Sequence, residues 1–180
     1  MTACLGRGAA DVATRTKTLD TKKLQIALQA IAKKVESGGT LRVGFLAGAM
    51  YPAETNERFL KAVGSKATPK LMPPVSVAQV AFWNEFGTKT APKRSFFRTT
   101  IAQESKRWGE HLGKALPHYN YNGELALRAI GQEMRDDLEA QIQRWDEPDN
   151  APLTIKIKGF NKPLTDRGIL ARSPDFEIVK

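Results

Sequence analysis

Cysteine and histidine are scarce in this sequence. Cys4 is the only cysteine, and His111 and His118 are the only histidines among 180 residues. A single thiol excludes an internal disulfide and a zinc cluster built from several thiolates. Pro117 lies between the histidines, so we do not expect the two rings to share a helical face. Metalloprotease, serine hydrolase and phosphate-loop signatures are also missing.

Long apolar runs are missing as well. No stretch approaches the ~18 consecutive apolar residues that a membrane-spanning helix requires. The first 20 residues lack the apolar core of a secretion signal. We therefore expect no membrane partner, and a location in the cytoplasm or in a particle assembled there.

The carboxylates do not form a convincing catalytic set. Asp136 and Asp137 are adjacent in a predicted helix, so their side chains diverge by about 100° and are expected to be surface charges. Asp166 lies in a Thr-Asp-Arg-Gly turn, where aspartate usually bonds its own backbone. The sequence therefore predicts a protein that is not an enzyme, with no catalytic residue, metal site or cofactor.

Positive charge exceeds negative charge by nine at neutral pH. Such an excess attracts nucleic acid or an anionic protein surface. The basic residues are scattered along the chain, and their densest runs, near positions 17–23 and 156–162, are short. A solvated basic face is the simpler interpretation, and a basic nucleic-acid-binding module is kept as the alternative function.

The pattern of apolar residues divides the first half of the chain into an arm, a helix, a strand and a long loop. Residues 1–18 have little apolar periodicity and are predicted to be a flexible arm, followed by one domain over residues 19–180. A helix is predicted from Asp20 or Thr21 to the glycines at 38–39, and a strand over 40–47. Residues 48–75 contain four prolines and are predicted to be a long projecting loop with a short helix near 59–63.

Three helices are predicted next, followed by extended segments. Their predicted limits are Ser76 to Gly87, with a capping box formed by Ser76 and Gln79, then Ser95 to Pro117, and Asn122 to Pro148. Alternation of Leu153, Ile155 and Ile157 predicts extended chain, and a closing strand is predicted from Phe176. This order predicts an α+β fold, in which helices pack on one face of a small, mostly antiparallel sheet.

Aromatic residues cluster within residues 82–97. Phe82, Trp83, Phe86, Phe96 and Phe97 either build the core or anchor a subunit interface, where large aromatic residues are enriched. Basic residues interleave with them and would also suit stacking on a single nucleic-acid strand, although no recognised signature accompanies them.

Glu85 is predicted to end a helix, where its charge gains nothing from the helix dipole. A glutamate in that position often pairs with a cation. Arg94 or Arg98 could supply the positive charge, either within the chain or across a subunit boundary.

The segment from Val80 to Arg98, VAFWNEFGTKTAPKRSFFR, resembles the tail-component, or neck, proteins of long-tailed bacteriophages. That family carries Ala, two variable residues, Asn-Glu-Phe-Gly-Thr, a short turn and Pro-x-Arg-Pro-Phe-hydrophobic-Arg. The matching residues are Ala81, Asn84, Glu85, Phe86, Gly87, Thr88, Pro92, Arg94, Phe96, Phe97 and Arg98. Ser95 departs from the family's proline and could instead cap the next helix.

A second patch, KPLTDRGIL at residues 162–170 followed by Ser173, is similar to the family's C-terminal motif. Arg167 replaces its usual threonine. The strand around 42–45 and Tyr51 also occupy positions where the family has a strand and a tyrosine. The resemblance thus covers residues 20–180 in the family's order.

The resemblance implies a structural protein of the virion, made in the host cytoplasm. Family members form homo-oligomeric rings, hexamers or dodecamers, at the neck between head connector and tail. The implied partners are further copies of the chain, the adjacent head-connector and tail proteins, and transiently the DNA in the channel. The interface is predicted to use the 48–75 loop together with Asn84, Glu85, Phe86, Arg94, Phe96, Phe97, Arg98 and Asp166.

Overall fold

The computed structural model describes residues 20–180, so the predicted N-terminal arm lies outside the described residues. The described chain folds into seven helices and six short strands. In chain order these are α1 (Thr21–Glu36), β1 (Thr40–Gly44), β2 (Met50–Tyr51), β3 (Glu54–Thr55), α2 (Glu57–Val63), β4 (Leu71–Met72), β5 (Val75–Ser76), α3 (Val77–Phe86), α4 (Phe96–His118), α5 (Gly123–Arg144), α6 (Pro152–Lys158), α7 (Ile169–Arg172) and β6 (Asp175–Val179).

The predicted α+β class is confirmed. The strands form three separate antiparallel pairs, β1 with β6, β2 with β5 and β3 with β4, where one small sheet was expected. The β1–β6 pair is the longest, running from Thr40 opposite Val179 to Gly44 opposite Asp175. Helix α5 packs against both of these strands and against α4 along its length.

The hydrophobic core lies where α3, α4, α5 and α7 meet. Its fully buried centre is Phe96, whose ring meets Phe45 edge-on at 6.1 Å between centroids. The other buried members are Val77, Ala81, Leu138, Ile142, Leu170 and Ala171. The start of α4 is therefore fixed by an aromatic side chain in the centre of the core.

Two predicted helix caps are formed. The Asp20 carboxylate accepts from the backbone N–H groups of Lys22 and Lys23, and the Asn122 side chain accepts from Leu125 N at 3.1 Å. The predicted capping box at Ser76 is wrong, because the Ser76 hydroxyl makes no capping bond. Strand β5 leads directly into α3, and the carbonyl of Ala49 accepts the first helical N–H at 3.0 Å instead.

The segment predicted as a projecting loop is an ordered hairpin. Strand β2 pairs with β5, and β3 pairs with β4. Helix α2 lies in the connection between β3 and β4, as the apolar residues near 59–63 predicted. Helix α2 packs on α6, so the hairpin is held against the C-terminal part of the chain. Pro52 and Pro73 directly follow β2 and β4, and the four prolines lie outside the strands, so they do not prevent order.

The extended segment predicted around Leu153 is wrong, because these residues form helix α6. Pro152 occupies the first turn, where its missing N–H costs nothing, and Gly159 ends the helix at φ +84°. These terminal signals outweigh the alternating pattern between them. The predicted strand at Phe176 is confirmed as β6, and the strand predicted over 40–47 ends at Gly44. Within residues 20–180, each helix is too short or too polar to cross a bilayer.

Glycine is required where α5 crosses the β1–β6 pair. A Cβ at Gly131 would lie 2.5 Å from Cδ2 of Phe176 and 2.9 Å from Cδ1 of Leu41. We predict that Gly131→Ala lowers the free energy of unfolding by about 1–3 kcal/mol through overpacking. Denaturant unfolding monitored by circular dichroism measures this change.

Gly113→Ala is the matched control, because a Cβ there meets nothing within 4 Å. It should raise the free energy of unfolding by roughly 0.5–1 kcal/mol, since alanine favours a helix over glycine. Equal effects of the two substitutions would contradict the proposed packing.

Candidate functional site

Residues 84–98, which contain most of the family motif, fold into one structure that we call the α3–α4 junction. Gly87 ends α3 at φ +78°, and a Cβ at that position would press on the backbone of Ala91 and Lys93. The turn closes through Thr88 N donating to Ala91 O at 2.9 Å and Arg94 N donating to Asn84 O at 2.7 Å. The motif glycine is thus explained by backbone geometry.

The side chain of Glu85 caps α4 from outside that helix. Its carboxylate oxygens accept from Phe97 N at 2.9 Å and Arg98 N at 3.4 Å, which are unpaired donors of the first helical turn. A negative charge is also favoured there by the helix dipole. Ser95 is the residue before the helix, but its hydroxyl makes no capping bond and donates to Glu85 O. The idea that Ser95 caps α4 is therefore wrong.

Arg98 supplies the cation predicted for Glu85. Its Nε lies 2.8 Å from Glu85 Oε1, and the contact is within the chain. The same guanidinium lies 4.7 Å from the centroid of the Phe86 ring, which packs on Phe82 at 4.6 Å. Arg98 thus links a carboxylate that is 6% exposed to a pair of rings on the surface.

Arg94, the other predicted partner of Glu85, instead bonds the backbone of the chain that follows α5. Its Nε and Nη2 both donate to Pro148 O at 3.1 Å, and Nη2 also donates to Asp149 O at 3.1 Å. Asn150 Oδ1 lies 3.4 Å from the same nitrogen. Arg94 is buried, and this burial lowers its pKa. Its guanidinium fixes the chain that follows α5 by satisfying backbone carbonyls.

The aromatic cluster divides between core and surface. Phe96 is fully buried, whereas Phe82 and Phe86 are 58% and 54% exposed. The exposed rings border an open groove of about 690 Å³, which we call the aromatic groove. Its apolar lining includes Val43, Ala78, Phe82, Phe86, Phe97 and Ile101. Phe96 therefore belongs to the core, and a role in a subunit interface stays a prediction for the exposed Phe82 and Phe86.

Three residues of the predicted interface, Glu85, Arg94 and Phe96, are almost fully buried in the single chain. They make their contacts within the chain, so their direct role is to hold the junction together. The interface remains a prediction for Asn84, Phe86, Phe97 and Arg98, which retain some exposure.

Asp166 lies in a different contact from the junction. Its carboxylate pairs with both terminal nitrogens of Arg58 at 3.2 Å, and Arg58 also donates to Ile157 O. The expectation that Asp166 bonds its own backbone is therefore wrong. Arg167, which replaces the family's threonine, pairs with Glu54. Asp166 and Arg167 therefore both tie the hairpin to the C-terminal segment.

Tyr51 of the hairpin lies near this contact. Its pKa is raised, first because the residue is partly buried and then because the negative charge of Asp166 disfavours the phenolate.

An ionic cluster between α4 and α5 was missed by the sequence analysis. Arg107 contacts Glu104 at 2.8 Å, Glu133 at 3.1 Å and Asp137 at 2.6 Å. Its bonds to Asp137 and Glu104 raise the pKa of Arg107. Asp137 also accepts from Trp108 Nε1 at 2.7 Å, so it is more than the surface charge that was predicted. The sequence signal for this cluster was the spacing of its charged residues. Glu104 and Arg107 are three residues apart on α4, and Glu133 and Asp137 are four residues apart on α5.

Within residues 20–180, no three histidine, cysteine or carboxylate side chains are grouped as metal ligands. Comparisons with known protein families, characterised proteins and solved structures found no match to this chain. The family resemblance therefore depends on the motif residues themselves.

We predict that Glu85→Ala lowers the free energy of unfolding by about 1–3 kcal/mol, because it leaves the donors at the start of α4 without an acceptor. Glu85→Gln should cost less, since an amide oxygen can still accept one of those bonds. Thermal and denaturant melts measure the change. Glu110→Ala, at an exposed glutamate of the same helix, is the control, and an equal effect there would contradict the capping role.

Arg94→Ala should lower the free energy of unfolding by roughly 2–3 kcal/mol, because buried carbonyls lose a charged donor. Arg94→Lys should recover little of this loss, since a single ammonium cannot reproduce the planar fork. Arg128→Ala removes an exposed pair with Glu124 and should change stability by less than about 0.5 kcal/mol. If lysine restored full stability at position 94, the forked contact would not be what holds residues 148–150.

Proposed function

We propose that this chain is a structural protein of a tailed-phage virion, which forms a homo-oligomeric ring at the neck between head connector and tail. The observation that carries the proposal is the α3–α4 junction. Its motif residues form one connected structure, and that structure leaves Phe82, Phe86 and Arg98 at the edge of an open apolar groove.

The coherence of the motif supports the family resemblance. Gly87 makes the turn, Glu85 caps the next helix, Arg94 holds a distant segment and Phe96 enters the core. A chance match of letters would not be expected to place each matched residue in a defined physical role. We therefore interpret the motif as the set of residues that determines the fold of the α3–α4 junction.

Exposed apolar surface supports self-assembly. Besides the aromatic groove, large apolar side chains are exposed along α1 and on the hairpin, at Leu24, Ile26, Leu28, Met50, Leu71 and Met72. Large contiguous apolar patches usually mark interaction sites on soluble proteins. A ring subunit needs two different complementary surfaces, one for each neighbour.

The net charge of +9 suits either acidic neighbouring proteins or DNA that passes through a channel. Six or twelve copies are the ring orders that the resemblance implies. The location proposed is the virion neck, with assembly in the host cytoplasm.

Light scattering on the purified protein, alone and with candidate neck proteins, tests the proposal. The expected mass is six or twelve times the 19.9 kDa of one chain. A monomer at every concentration and with every partner would contradict ring formation.

The net charge also favours the alternative, a nucleic-acid-binding module. That function predicts tight DNA binding by the monomer, with an affinity that falls steeply as salt rises. Fluorescence anisotropy with labelled DNA over a salt series separates the two functions. For a ring protein we expect weak binding without sequence preference and no requirement for DNA in assembly.

A further inference from the structure

Helix α1 carries an apolar stripe that the described chain leaves largely uncovered. Leu24, Leu28, Ile31 and Val35 are spaced 4, 3 and 4 residues apart and so lie on one face. No residue of α1 is buried, and Leu28 is 57% exposed. In a free monomer Leu24, Leu28 and Val35 are thus exposed to water, and Ile31 is partly exposed.

The helix is attached to the body at its C-terminal end. The backbones of Gly38 and Gly123 meet so closely that a Cβ at Gly123 would lie 2.4 Å from Val35 O. Lys34 Nζ also lies 3.5 Å from Asn120 O. From this attachment the helix extends with its stripe uncovered.

The aromatic groove continues into a second cavity of about 140 Å³. The two share Val43, Phe97 and Ile101, and the second extends the apolar lining to Trp108 and Met134. The two cavities are therefore neighbours, and both are lined by residues of β1. Laying the apolar face of an amphipathic helix into a hydrophobic groove is a recurring mode of recognition, with anchors three and four residues apart.

We propose that α1 of one copy lays its Leu24–Leu28–Ile31–Val35 stripe in the aromatic groove of a second copy of this chain. The inference rests on the self-assembly that the proposed function requires. The helix and the groove are different surfaces, so the contact is heterologous, and each subunit both donates a helix and receives one. Repetition of such a contact generates a ring when the rotation closes.

Charge complementarity favours a second copy as the occupant. Helix α1 carries four lysines and one glutamate, and Lys23 and Lys34 flank the stripe on one side. At the Trp108 end of the groove, the carboxylates of Glu104, Glu133 and Asp137 share the single arginine Arg107. A helix with net positive charge is therefore favoured at this end of the groove, where Asp137 bonds Trp108, whereas Arg98 borders the other part of the groove.

Substitutions on the two surfaces test the contact. Leu28→Glu on the stripe and Phe82→Glu in the groove should each weaken self-association roughly tenfold or more, because a buried, unpaired carboxylate is strongly disfavoured. Both positions are exposed in the single chain, so the melting temperature should change little. Ile26→Glu is the matched control, since Ile26 is 66% exposed on the opposite face of α1 and should leave the ring intact.

Mixing the two defective variants gives the decisive readout. The L28E subunit keeps an intact groove and the F82E subunit keeps an intact helix, so an equimolar mixture should form a one-to-one heterodimer that cannot grow. If α1 paired with α1 instead, F82E alone would assemble like the wild type and the mixture would gain nothing.

The outcomes distinguish this inference from the proposed function. Rings that persist in both L28E and F82E would overturn the helix-in-groove contact and leave ring formation standing. Equal loss of assembly in I26E and L28E would also overturn it. A wild-type chain that is monomeric under all conditions would overturn both.

Discussion

The carboxylate of Glu85 joins the end of α3 to the start of α4. It satisfies two donors of the second helix while it belongs to the first, so one side chain links the two helices in addition to the backbone bonds of the turn. The residues on either side of this contact have opposite environments. Phe96 enters the core at the start of α4, whereas Phe86, next to Glu85, lies on the surface. The contact of Glu85 thus lies between the internal packing at Phe96 and the groove bordered by Phe86.

Local signals allowed much of the fold to be predicted. Asp20 and Asn122 cap helices through bonds to residues two or three positions away, so the sequence itself contains both partners. The closing strand at Phe176 was recognisable from its alternation. The same reasoning failed for α6, because Leu153 and Ile157 are also four residues apart and so share one face of a helix. There the terminal proline and glycine were the better guide.

The candidate site was predictable only in part. The pairing of Glu85 with Arg98 follows from their proximity in the chain, although the use of that carboxylate as a cap does not. Arg94 could not be assigned, because its acceptors are backbone carbonyls more than 50 residues away and any residue type can provide those. The separation of the aromatic cluster into core and surface likewise depends on how α3 and α4 cross, which periodicity alone does not determine.

Because α1 is attached to the body at its C-terminal end, a small rotation there would move its N-terminal end by a larger distance. Leu24 lies 14 residues from Gly38, or about 21 Å along the helix at 1.5 Å per residue, so a rotation of roughly 10° at the contact would move it by about 4 Å. Neither Gly38 nor Gly123 has a side chain, so no side chains of these two residues interlock at the contact and oppose such a rotation. The direction of α1, and with it the curvature of any assembly built through that helix, can thus be adjusted without repacking the core.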